Sequence, residues 1–146
     1  MRLAYVAAPV GATTQAEVDE NLERAQRWYR WLCDTHPDRA FCMNWVVDVQ
    51  VYRGADSNVG IPGEPEHEAR IRGLERDDAV IAKCDDYFLV TDRISGGMRR
   101  GLETAKQHGL VIYDFTTLAK GFGGEPPKGM PIKLSDCRRG YEWLTE

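Results

Sequence analysis

The chain is poor in the residues that build metal centres and disulfide frameworks. Its four cysteines, Cys33, Cys42, Cys84 and Cys137, form no CxxC pair, and its three histidines, His36, His67 and His108, lie far apart. Such spacing offers neither a zinc site nor a redox motif, so no metal and no cofactor is expected, and free thiols suit a reduced compartment. No apolar run reaches membrane-spanning length, and the N-terminus lacks the basic start and apolar core of a signal peptide. Adjacent arginines are confined to Arg99-Arg100 and Arg138-Arg139 in a chain of net charge -4, too little for the basic footprint of a nucleic-acid groove. No internal repeat is visible. A cytoplasmic protein that engages neither nucleic acid nor membrane is the expectation.

What is present suits one domain over residues 1–146: 42% of the residues are hydrophobic and 29% charged, enough to bury a core under a solvated surface. Residues 3–8 are apolar and stop at Pro9 and Gly11, as a strand buried on both faces does. Thr14-Gln15-Ala16-Glu17 matches a capping box, and Val18, Leu22, Ala25, Trp28 and Leu32 then recur at helical spacing. Residues 40–43 read as a strand and 45–52 as the start of a helix or an ordered loop, with Trp45 either in the core or stacked on a base. The glycine- and proline-rich residues 54–65 read as a loop that either covers the sheet edge or merely connects. A second helix is expected from Pro65 or Glu66 to about Lys83, with Ile71, Leu74, Asp78 and Ile81 on one face. Asp78 then sits at the edge of that face or points into a pocket.

The stretch from Cys84 to Asp114 organises the rest. An apolar strand, Tyr87 to Val90, ends at Asp92, turns through Ser95-Gly96-Gly97, enters a helix and returns as a second strand at residues 110–113. Within residues 65–114 this gives helix, strand, helix, strand, and the whole order predicts an α/β protein. The fold expected is a Rossmann-like three-layer sandwich with a mostly parallel sheet of four or five strands. The first amides of a helix lack internal partners and sit at its positive end, and glycines let a ligand approach them. Ser95-Gly96-Gly97 is therefore either a ligand turn or only a cap. Residues 115–146 read as an irregular tail, with one last strand or short helix after Ile132 and with Tyr141, Trp143 and Leu144 docking on the core or on a second subunit.

Four stretches carry a family resemblance. Tyr5-Val6-Ala7-Ala8-Pro9 is similar to an opening Tyr-Leu-Ala-Gly-Pro strand, and Asn21 with Ala25 to an Asn-x-x-x-Ala helix. Residues 85–92 are similar to a strand bounded by aspartates, and Ser95-Gly96-Gly97-Met98, with Ala105 and Gly109, to a Ser-x-Gly-Met turn and helix. The chain thus resembles the nucleoside 2-deoxyribosyltransferase-like superfamily, with the nucleotide N-glycosidases and the small bacterial and phage proteins grouped there. The resemblance implies a small-molecule nucleoside or nucleotide across the strand ends, a homodimer, and no cofactor. It implies Tyr5, Ala8, Pro9, Asp92, Ser95, Gly96, Gly97 and Met98 as substrate-binding residues, the serine and the glycine amides taking a 5'-phosphate.

In catalytic members a glutamate attacks the anomeric carbon or supports an oxocarbenium ion, with the opening tyrosine, here Tyr5, placing it. The motif puts that glutamate six residues after Ser95 and four before Ala105, where this chain has Gly101. Glu103 is the nearest carboxylate, but two residues along a helix rotate it by about 200°. The catalytic candidates are therefore Asp92, Glu103 and Tyr5. Three readings stay open. One is an N-glycosidase or transferase that draws its carboxylate from elsewhere, from Asp92, Glu64, Glu66 or Glu68. Another is a non-catalytic sensor or sequestering protein, with Gly101 leaving room near the sugar. The third is a turn that binds nothing in a chain that works through protein contacts. Tyr5 either lines the site or packs against helices, Asn21 lies on the surface or supports the first loop, and Asp85 starts its strand or caps the preceding helix.

Overall fold

The computed structural model describes residues 1–51, 65–129 and 132–141. Its elements run β1 (Arg2–Ala7), α1 (Gln15–Thr35), β2 (Arg39–Cys42), α2 (Asn44–Val51), α3 (Pro65–Ile81), β3 (Asp86–Leu89), α4 (Gly96–Gln107), β4 (Val111–Asp114), α5 (Thr116–Lys120), a 3-10 turn (Leu134–Asp136) and β5 (Arg138–Arg139). The strands form one sheet in the order β2-β1-β3-β4-β5, parallel throughout except for the pairing of β5 with β4. This is the expected α/β Rossmann-like sandwich. Of the loop expected over residues 54–65, residues 54–64 lie outside the described residues, Glu64 among them, and Pro65 opens α3; the side chain of Glu66 and Trp143 with Leu144 also lie outside them. Among the described residues no helix is long and apolar enough to cross a membrane.

Helix α1 begins where the sequence says. The Thr14 side chain accepts from the Glu17 amide at 3.2 Å, but the Glu17 carboxylate accepts from the hydroxyls of Thr13 and Thr14 rather than closing the reciprocal box on a backbone amide. Its predicted stripe, Val18 to Leu32, is buried. On this face Trp28 meets Phe115 edge-on, with ring centroids 5.9 Å apart, and Phe115 stacks on Phe88. The next residues on β1 and β3 point the other way, so Tyr5 and Tyr87 face α3 and α4. At the opposite end of the strands, buried Asp86 accepts from Arg2 and Arg39, and Asp85 accepts the Leu3 amide at 2.9 Å, which starts the sheet.

Residues 115–129 and 132–141 are more ordered than their composition predicts. Asp114 Oδ1 accepts both the amide of Thr116 at 2.8 Å and its hydroxyl at 2.6 Å, so α5 starts directly after β4. The Tyr141 hydroxyl donates to the Leu110 carbonyl and holds the end of β5 against β4. The turn after α5 is tied to α1, with Trp28 Nε1 donating to the Gly124 carbonyl at 2.9 Å and Arg24 and Arg27 pairing with Glu125. Trp28→Phe keeps the ring but loses this bond and part of the indole volume. It is expected to cost about 2 kcal/mol in urea denaturation and to speed exchange of the Gly124 amide. Unchanged exchange at Gly124 would remove Trp28 as the tether.

Candidate functional site

The strand order reverses between β1 and β3, and in open α/β sheets the crevice outside the carboxyl ends at such a point is where ligands bind. A cavity of about 420 Å³ lies there, within the range of small-molecule sites. Ala7 and Ala8 from the end of β1, Trp45 and Val49 from α2, and Leu74 and Ile81 from α3 supply its apolar walls. Trp45 belongs to the core, 7% exposed and donating Nε1 to the Val6 carbonyl at 2.7 Å, and it also lines the cavity. Asn21 supports the first loop by donating to the Val10 carbonyl at 3.0 Å.

One end of the cavity is positive. Ser95 caps α4, its Oγ accepting the Met98 amide at 3.3 Å while the Met98 sulfur accepts the Ser95 amide. One lone pair of the serine hydroxyl is thereby filled, and the amides of Gly96 and Gly97, in the first turn of a twelve-residue helix, have no intrahelical acceptor. Among the described residues, a side chain at position 96 would meet nothing within 4 Å, and one at 97 would meet only the Arg70 guanidinium, 3.9 Å away. Arg93 lines the same end. Burial lowers the Arg70 pKa, with the Asp77 charge opposing that shift.

The other end is acidic. Asp77 accepts from Asn44 Nδ2 at 2.9 Å. Burial pushes its carboxyl up to about 6, the charges of Asp48 and Asp78 adding to the effect, while the Asn44 hydrogen bond and the nearby Tyr5 phenol oppose it. Burial, reinforced by Asp77, likewise holds the Tyr5 phenol well above its usual range. Tyr5 stacks on Tyr87 with centroids 5.5 Å apart and planes within 2°, and the Tyr87 hydroxyl donates to the Met98 carbonyl at 3.0 Å. Asp48 is paired with Arg76 at 3.0 Å, while Asp78 takes Arg100 and the Thr104 hydroxyl, each at 2.9 Å, and so ties α3 to α4.

Of the residues singled out from sequence, Tyr5, Ala8, Ser95, Gly96, Gly97 and Met98 meet around this cavity. Pro9 is buried but does not line it. Asp92 lies elsewhere: Thr91 takes φ +70°, unusual for a β-branched residue, with its buried Oγ1 unpartnered. Beyond that turn the Asp92 carboxylate stands 3.3 Å from the place a side chain on Gly124 would fill, against the turn after α5. Glu103 is exposed and outside the cavity, as its rotation along α4 requires. Gly101 lines the cavity but leaves no room beside a ligand. Its side-chain direction is occupied by the Tyr87 ring, with Cζ 2.9 Å and Cε2 3.0 Å from where a Cβ would stand.

Sequence reading missed Asp77 and Arg70. The spacing 70, 74, 77, 81 fits a helical stripe as well as 71, 74, 78, 81, and it is the first that carries Arg70 and Asp77 along the cavity with Leu74 and Ile81. No family model, curated protein or solved structure matches this chain.

Proposed function

We propose that the cavity binds a nucleoside or nucleotide and that the chain is a divergent member of the nucleoside 2-deoxyribosyltransferase-like superfamily. The observation that carries this reading is the positive end. Two glycine amides at a helix N-terminus open toward the cavity beside the Arg70 guanidinium, an arrangement suited to a phosphate. The apolar and aromatic walls then take the sugar and base, which run toward Asp77.

A thermal-shift comparison of AMP with adenosine tests this. The monophosphate is expected to bind at least about tenfold more tightly, and Arg70→Met to remove most of that difference, as loss of a charge-assisted hydrogen bond does. Equal binding of the two, or a preference untouched by Arg70→Met, would count against a phosphate at this turn.

A second reading, cleavage or transfer at the N-glycosidic bond, has one observation in its favour. Asp77 is a cavity carboxyl whose proton leaves near pH 6, so it can protonate a departing base while water or an acceptor takes the anomeric carbon. Asp92 and Glu103 do not line the cavity. Chromatography of bound nucleotides for free base separates the readings: base release that Asp77→Asn abolishes supports turnover, and intact nucleotide supports binding alone.

A further inference from the structure

The geometry points to a mononucleotide whose base carries an exocyclic amine, adenine, cytosine or guanine, with that amine held at the Asp77 end of the cavity. The inference rests on the nucleotide reading above and deepens it. Among the described residues at that end, Asn44 Nδ2 goes to Asp77 and the Tyr87 proton to the Met98 carbonyl, while the Tyr5 phenol lies beside Asp77. Arg76 and Arg100 are engaged by Asp48 and Asp78. The Asp77 carboxylate, which offers about four lone-pair sites and has one of them filled by Asn44, supplies the acceptor capacity there.

The polarity therefore reverses along α3. Arg70 and the glycine amides present donors, and Asp77, seven residues on and so about 10 Å along the helix, presents acceptors. That separation is comparable with the distance from phosphate to base edge in a mononucleotide. A ligand that fits carries an anion at one end and a donor at the other. An amine next to a carboxylate is a favourable readout, whereas a carbonyl in its place would set lone pairs against lone pairs and leave a polar group unpaired.

Matched pairs that exchange one amine for one carbonyl, AMP with IMP and dCMP with dUMP, test this by calorimetric titration of the whole protein. In whichever pair binds, the amine-bearing member is expected to bind at least about tenfold more tightly. Asp77→Asn, which puts an N–H donor at the same place, should reduce that ratio to within about threefold. Equal binding within a pair, or a preference for the carbonyl member, would overturn the inference and leave the nucleotide reading intact. A preference that survives Asp77→Asn would overturn the role of Asp77. Absence of binding by all four would overturn the nucleotide reading itself and this inference with it.

Discussion

Gly101→Ala is expected to destabilise the protein by about 2–4 kcal/mol, even though alanine is the better helix residue by about 1 kcal/mol. The new methyl would overlap the Tyr87 hydroxyl and stand 2.9 Å from Cζ. Tyr87 is 1% exposed, stacked on Tyr5 and bonded to the Met98 carbonyl, so its ring has nowhere to swing. Relief has to come from separating α4 from β3 or from giving up that bond. The clash therefore exceeds the propensity gain. In a Tyr87→Val background the same change should be neutral or slightly favourable, giving a coupling of at least about 2 kcal/mol in a double-mutant cycle followed by urea denaturation. A Gly101→Ala protein as stable as wild type would show that the ring yields, and the pairing of the two positions would be abandoned.

A side chain at 101 and the tyrosine at 87 cannot occupy the same space, so the glycine and the inward phenol are one arrangement. Sequence could not show this, because β3 is buried at every position and a strand covered on both faces carries no alternation to say which way Tyr87 points. The elements with a one-sided pattern or a cap were legible: α1 with its stripe and Thr14, α4 with Ser95, and the strand–turn–helix between Asp86 and Gln107. The glycine turn was legible as a cavity edge for the same reason. Asp92 falls outside the cavity lining where the chain leaves β3 through a left-handed threonine, a residue type little expected there. Asp77 was overlooked because α3 has polar residues on two equally spaced stripes, and only the packing against β1 and β3 selects one. In the tail, β5 is two residues long and exists only through pairing with β4, which no local pattern announces.

Asp77→Asn is expected to stabilise the protein by about 1–3 kcal/mol above pH 7 and to leave it little changed below pH 4. The sign follows from the raised carboxyl. Its pKa is about 6 in the fold against 3.8 as an ordinary aspartate, so the folded state holds the proton more tightly than the unfolded chain does. Below about pH 4 both states are protonated and no penalty exists. As pH rises from there through 6 the fold must come to carry a buried charge that the unfolded chain carries in water. Stability falls across that window by up to about 1.4 kcal/mol for each pH step of one. Asparagine removes that charge and keeps the shape. Its amide oxygen can still accept from Asn44, and its amide nitrogen supplies a donor near Asn44 Oδ1, which is buried without a partner. Melting temperatures of the two proteins across pH 4 to 8 would check this, and an Asp77→Asn protein less stable than wild type at pH 8 would refute it. A carboxylate that weakens its own fold is explained if a ligand is what it serves. The substitution should then raise stability and lower affinity for amine-bearing nucleotides together, whereas a carboxylate kept for packing would lose stability and leave binding alone.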